Sequence, residues 1–121
     1  NQLQYEKYEQ IIRMLNFDCG GYNRNTELEA FRTAGDLATS MSRCCNMLGI
    51  PCNIGGPFNV PDASSDHAPF ATRGVQYLYP LTDCPGGIIH TPSDTMTNIG
   101  KQQLKWAAQI GACVLADMYI K

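Results

Sequence analysis

Two residues in this sequence have side chains that suit zinc, and both follow segments that resemble the strands of an α/β sheet. Asp18 directly follows a short apolar run, Ile11–Phe17, and precedes Gly20 and Gly21. His90 lies in a loop that follows an apolar segment rich in β-formers. Open parallel sheets bind ligands beyond the carboxyl ends of their strands, and a carboxylate with an imidazole suits zinc. Each residue also has an alternative interpretation without metal. An aspartate after a strand commonly forms a turn, and a single histidine in a loop is commonly not a ligand.

Strands and helices alternate along the chain. The patterns predict a buried strand over Ile11–Phe17, a helix over Thr26–Leu48, a short strand at Cys52–Ile54, a strand over Gly74–Leu81 and a helix over Lys101–Tyr119. The first helix is indicated by a capping-box pattern at its start, by apolar residues at steps of three and four, and by Gly49 as a C-cap. The alternation predicts an α/β sheet with parallel strands.

Composition limits the classes of partner. The 121 residues make one domain's worth of chain, with a net charge of −2 and 17% charged residues. We expect no nucleic-acid binding, because the basic footprint that a phosphate backbone requires is missing. We also expect no membrane span, because no apolar run approaches about 18 residues. The charged fraction lies below the roughly 25% of typical soluble domains, which indicates either much buried surface or a partner that covers part of the surface.

The chain has six cysteines: Cys19, Cys44, Cys45, Cys52, Cys84 and Cys113. An even count in a small chain is compatible with a disulfide framework. Two observations favour reduced thiols instead: the helical pattern is strong enough to form a core without covalent links, and Cys44 and Cys45 are adjacent. The sequence contains no C-x-x-C motif, so nothing in it indicates a structural zinc ribbon. We therefore predict that most of the cysteines are reduced and buried as small apolar side chains.

Three segments resemble, in the same order, motifs of the zinc-dependent M28 aminopeptidase family. Met14–Gly21 reads MLNFDCGG and is similar to the family's strand that ends in a metal-binding aspartate. Ser65–Phe70 reads SDHAPF, is followed by Arg73–Val75, and resembles a stretch that lines the family's substrate cleft. Ile89–Thr95 reads IHTPSDT and resembles the H-T-x-x-D-T motif, whose histidine is a metal ligand. The resemblance covers most of the chain.

This resemblance implies a role for each matching residue. Asp18 and His90 are expected to bind zinc, one to each ion of a two-zinc site, and therefore to lie close together in space. Ser65 and Asp66 are expected to contribute to substrate binding, with a simple turn as the alternative. Asp94 is interpreted as a residue that orients the site through a hydrogen bond, with an Asx turn or a helix cap as the alternative.

The sequence also departs from the family's pattern. The family requires an H-x-D pair and a Glu-Glu pair upstream of the first motif, and this chain has neither. Its two histidines are His67 and His90, and His67 is expected to be a hydrogen-bonding or surface residue and not a ligand. We therefore expect residues 1–121 to be a single segment, the C-terminal part of an M28-like peptidase domain, with no catalytic residue of its own.

The expected fold is a partial three-layer α/β sheet with parallel strands and flanking helices. The expected activity is peptide hydrolysis by water that two zinc ions activate, performed by a longer protein and not by this chain alone. A half-sheet has unpaired edges, so we also expect a homo-oligomer or association with the missing N-terminal half.

Two other function classes stay open. The first is a non-catalytic binding or structural module with the same fold. The second is an acyltransferase that resembles the glutaminyl cyclases, which carry a tryptophan just before the corresponding histidine. In this chain that position is Ile89, and the one tryptophan is Trp106.

Overall fold

The computed structural model describes residues 11–54, 65–82 and 88–120. The elements follow in the order β1 (Arg13–Leu15), β2 (Leu28–Arg32), α1 (Asp36–Leu48), β3 (Cys52–Asn53), α2 (Ala68–Ala71), β4 (Gln76–Leu81), a 3₁₀ turn (Met96–Asn98) and α3 (Lys101–Ile120). Residues 55–64 and 83–87 lie outside the described residues, and Cys84 is one of them. Within the described ranges, no helix combines the length and the apolar character that a membrane span requires.

The strands form one open sheet in the order β1-β4-β2-β3. The pairs β1–β4 and β2–β3 are parallel, whereas β2 and β4 are antiparallel. β4 is the most buried strand, and its residues Tyr77–Pro80 are all buried. The predicted α/β class is confirmed, but one of the three strand pairs differs from the predicted parallel arrangement.

The predicted helix over Thr26–Leu48 is wrong over its first ten residues. Residues Leu28–Arg32 form strand β2, and the helix begins only at Asp36. Leu28 and Ala30 are completely buried, so this segment alternates with the period of a strand. Gly35 has a φ of 147°, which is a glycine conformation, and it separates the strand from the helix. The predicted C-cap is confirmed, because Gly49 is left-handed and its N–H donates to the Cys45 carbonyl.

The first predicted strand is shorter and more exposed than its apolar run suggested. Hydrogen bonding restricts β1 to Arg13–Leu15, and β1 lies at one edge of the sheet that the described residues form. Ile12 is 70% exposed and Phe17 is 48% exposed. The Arg13 guanidinium fixes the strand to the first turn of α1 by an ion pair with Asp36, in which Nε lies 3.0 Å from Oδ1.

Helices α1 and α3 pack together, and both predicted C-terminal ends are confirmed to within a residue. The core between the helices and the sheet is apolar; its fully buried members include Leu37, Met41, Leu78, Ile110 and Val114.

The prediction of reduced cysteines is wrong. Disulfides join Cys44 to Cys113, which connects α1 to α3, and Cys45 to Cys52, which connects α1 to β3. Adjacent cysteines are compatible with this arrangement because successive side chains on a helix point about 100° apart, here towards two different elements.

Candidate metal centre

The segment after β1 and the end of β4 lie together at one edge of the sheet. Because β1 and β4 are parallel, their carboxyl ends meet at the same edge. The pairing continues past β1, since the Asn16 N–H donates to the Leu78 carbonyl at 3.0 Å. Beyond it, the buried Thr82 hydroxyl donates to the Cys19 carbonyl at 2.6 Å and accepts from the Tyr22 N–H at 2.9 Å. These bonds fix the chain around Asp18 to the end of β4.

A second set of hydrogen bonds connects this segment to the loop before α3. The Gly100 N–H donates to the Gly21 carbonyl at 2.9 Å, and the Asn23 N–H donates to the Asn98 carbonyl at 2.9 Å. Gly21 permits this close approach, because a Cβ there would lie 2.8 Å from Cδ2 of Leu104. The segment after β1 and the loop that carries the third motif are therefore held side by side.

Between these two segments lies a cleft of about 340 Å³. Asp18, His90 and Asp94 all line it, although they come from two motifs far apart in the sequence. All three residues are exposed. The apolar part of the wall is formed by Ile88, Ile89, Ile99 and Leu104. The cleft thus combines a carboxylate and an imidazole with an apolar surface.

The backbone is strained on both sides of this cleft. Cys19 has a φ of 54° and His90 a φ of 60°, and they are the two non-glycine residues with positive φ in the part of the chain that the structure describes. A left-handed conformation costs about 1–2 kcal/mol for such residues, and strain of this kind clusters at functional sites. The turn at His90 is stabilised by the Thr91 hydroxyl, which donates to the Ile88 carbonyl at 2.6 Å.

A chain of polar side chains leads from the sheet to Asp18. The Ser65 hydroxyl donates to Oδ2 of Asp18 at 2.8 Å, and Oγ of Ser65 accepts from Nδ2 of Asn16 at 2.8 Å. Asn16 is 5% exposed. Asn16 is not among the predicted site residues, although its position two residues before Asp18 places both side chains on one side of an extended chain. Ser65 thus contacts a predicted zinc ligand, whereas Asp66 is exposed; their predicted role in substrate binding stays a prediction.

His67 is buried at 3% exposure and is therefore not a surface residue. Its ring packs against those of Tyr77 and Tyr79, with centroids 4.7 and 5.3 Å away. Nδ1 of His67 lies 3.4 Å from Nδ2 of Asn16. Burial lowers the pKa of His67, and the nearby Asp66 carboxylate opposes that effect. His67 is therefore a neutral, hydrogen-bonded residue of the interior.

Comparison with protein families gives one match over almost the whole sequence. The model of peptidase family M28 matches residues 2–115. The chain belongs to peptidase family M28. Comparison with curated protein sequences gives no match.

The M28 fold is also seen in a solved relative. The structure of BSAP, a zinc aminopeptidase from Bacillus subtilis, matches 93% of this M28 chain with a TM-score of 0.72 and 20% sequence identity. A second, medium-resolution crystal structure of BSAP matches with a TM-score of 0.70 and 20% identity. At this identity the likeness shows the fold. The M28 chain described here spans 29% of the BSAP chain.

Two side chains on the cleft of this M28 chain have the chemistry of zinc ligands, and a zinc site needs more than two. In the described ranges, no group of three or more His, Cys, Asp or Glu side chains could hold a metal ion. A catalytic zinc ion normally has three protein ligands and one open position. Asp18 and His90 are donors of the right chemistry on one cleft, so they fit as ligands when further donors come from outside the described residues.

The neutral state of His67 predicts a pH-dependent stability. Because the folded pKa is lower than the unfolded value of about 6.5, the unfolded chain binds more protons between these two values. The free energy of unfolding should therefore be highest above about pH 6.5 and should fall as the pH decreases towards the folded pKa. Urea titrations between pH 7.5 and 5 measure this slope. In His67→Phe, which keeps an aromatic ring between Tyr77 and Tyr79, the slope should be smaller; equal slopes in both proteins would contradict the assignment.

Proposed function

We propose that this chain is part of the catalytic domain of a di-zinc aminopeptidase, in which Asp18 and His90 each bind one of the two ions. The observation that supports the proposal most directly is that both residues line one cleft of an M28 chain. They reach it from different motifs, at the end of β1 and in the loop after β4, and the backbone is strained at His90 and next to Asp18. Asp94 lines the same cleft, which supports its proposed role in orienting the site.

Each residue of the cleft has a distinct part in the proposed reaction. Two zinc ions, when bound, would polarise the scissile carbonyl and lower the pKa of the attacking water. Asp18 and His90 would contribute a negatively charged oxygen and a neutral nitrogen to their coordination. The apolar wall of Ile88, Ile89, Ile99 and Leu104 would contact the side chain of the substrate's N-terminal residue and exclude water from it.

The remaining ligands and the general base are proposed to come from another part of the M28 domain. This chain spans 29% of the BSAP chain, and β1 lies at an edge of the sheet that the described residues form. Ile12 and Phe17, on either side of β1, are 70% and 48% exposed. Phe17 also lies beside a shallow apolar groove with Ala107, Ala108 and Gly111. The rest of the domain would cover these exposed side chains and extend the sheet, which matches the low charged fraction.

Zinc binding and hydrolysis by two forms of the protein test this proposal. The 121-residue chain should bind zinc weakly and hydrolyse no aminoacyl-p-nitroanilide, because it has one proposed ligand for each ion and no proposed base. A complete M28 domain that contains the chain should do both and lose activity with a chelator. Chelator-sensitive turnover by the 121-residue chain would show that the base and the missing ligands lie within it. Zinc binding without hydrolysis by the complete domain would instead favour the non-catalytic module.

A further inference from the structure

Three side chains next to the cleft form a hydrogen-bond chain whose direction is fixed by chemistry. An ionised aspartate has only acceptors, so the hydroxyl proton of Ser65 must point to Oδ2 of Asp18. A serine has one such proton, so Oγ can only accept from Asn16. The amide group of Asn16 must therefore face Ser65 with its nitrogen, at 2.8 Å.

His67 holds the amide in this orientation. The second N–H of the Asn16 amide faces Nδ1 of His67 at 3.4 Å, which makes Nδ1 an acceptor and places the ring proton on Nε2. In this tautomer of His67, an amide that turned over would place its carbonyl oxygen against a nitrogen with no proton. His67 is itself fixed, because it is buried between Tyr77 and Tyr79 of the central strand β4.

We propose that Asn16 is a positioning residue: its amide, held by His67, directs the Ser65 hydroxyl proton to Asp18 and so keeps that carboxylate in one orientation for the metal. The part that concerns the metal rests on the function proposed above. Asn16 is suited to this role because its backbone N–H donates to the Leu78 carbonyl and the residue is only 5% exposed. The sheet therefore holds Asn16 in place. A hydroxyl without this donor could rotate away from Asp18.

Asn16→Asp and Asn16→Leu test the role on the zinc-free chain. The aspartate variant is isosteric but accepts the Ser65 proton, which turns the hydroxyl away from Asp18. Three-bond couplings from the backbone N and carbonyl carbon to Cγ of Asp18 report its χ1 populations by NMR. We expect one rotamer in the parent chain and averaged couplings in both variants and in Ser65→Ala. Ser65→Thr, which keeps a hydroxyl, should restore the parent values.

The affinity of the complete M28 domain for Zn²⁺, measured for the same variants by competition with a chromogenic chelator, gives the second readout. Residues that orient a metal ligand typically contribute 10–100-fold to affinity, and we expect Asn16→Asp to weaken Zn²⁺ binding about tenfold. The double variant Asn16→Leu/Ser65→Ala should be no weaker than Ser65→Ala, because both changes break the same chain of bonds. Circular dichroism identifies a variant that fails to fold, in which case Asn16→Leu, which buries no charge, decides the result.

Two outcomes separate this inference from the proposed function. If the couplings change as expected while a complete M28 domain that contains the chain binds no Zn²⁺ at all, the positioning of Asp18 by Asn16 is supported and the zinc proposal fails. If a folded Asn16→Leu variant keeps the parent couplings and the parent Zn²⁺ affinity, Asn16 has only a structural role and the inference is wrong.

Discussion

In the complete M28 domain, His90→Ala should reduce zinc affinity at one ion about 100-fold or more and reduce peptidase activity with it. Structural zinc sites with four ligands are worth about 10–16 kcal/mol, so one ligand corresponds to about 3 kcal/mol, or about two powers of ten in affinity. Activity should fall in parallel, because both ions contribute to polarising the carbonyl and activating water. Metal analysis after dialysis and a p-nitroanilide assay measure the two effects.

The fold should survive this substitution, because His90 is exposed and lies outside the core. Because His90 has a φ of 60°, alanine at this position would also strain the backbone. His90→Asn separates this effect from the loss of the imidazole, because asparagine tolerates the left-handed conformation. His90→Asn should lose zinc as His90→Ala does. Met96→Ala is a matched control, since Met96 is 81% exposed in the same region and does not line the cleft. Full zinc content and activity in His90→Ala would remove His90 from the site.

The motifs predicted residues that share one cleft, whereas they did not predict the boundaries of the strands and helices around it. Asp18, His90 and Asp94 were each identified from short segments, and the structure places all three on one cleft. This was possible because a metal ligand is a property of residue type and local sequence. Their proximity itself depends on the parallel pairing of β1 with β4, which no segment of the sequence specifies alone.

The error at β2 has a simple physical cause. Leu28 and Phe31 are three residues apart, so they fit a helix face, yet Leu28 and Ala30 fit one face of a strand equally well. Tertiary contacts decide between the helix and the strand, because β2 pairs with β4 on one side and with β3 on the other. The choice is made by strands that lie 20 or more residues away, and local periodicity contains no information on them.

Contacts between distant residues also explain why the sequence predicted neither the role of Asn16 nor the disulfides. Asn16 contacts Ser65 and His67 across sequence separations of 49 and 51 residues. Its own segment showed only a polar residue in an apolar run. In the same way, the six cysteines had many possible pairings, and the choice among them was made by the packing of α1 against α3 and β3.

Removing the Cys44–Cys113 disulfide should reduce the free energy of unfolding by about 4 kcal/mol. The two residues are 69 apart in the sequence, so the link restricts a long loop of the unfolded chain. In the chain-entropy model a loop of that length corresponds to about 4 kcal/mol, whereas the seven-residue separation of Cys45 and Cys52 corresponds to only about 2 kcal/mol. Domains of this size are stable by about 5–15 kcal/mol, so the loss should be large enough to make the fold marginal.

Urea titrations of Cys44→Ala/Cys113→Ala and of Cys45→Ala/Cys52→Ala compare the two links directly. Both variants truncate buried or half-buried cysteines to the same side chain, so the difference between them reports chiefly on loop length. The long link should matter more even though α1 and α3 are also joined by Asp117, which accepts a hydrogen bond from Ser40 at 2.6 Å and pairs with Arg43. Such a partly exposed ion pair contributes at most about 1 kcal/mol and cannot replace a covalent link. An equal or larger loss from the short link would show that the helix pair is held mainly by packing. A dependence on the long link would in turn favour folding in an oxidising compartment, where such bonds form and persist.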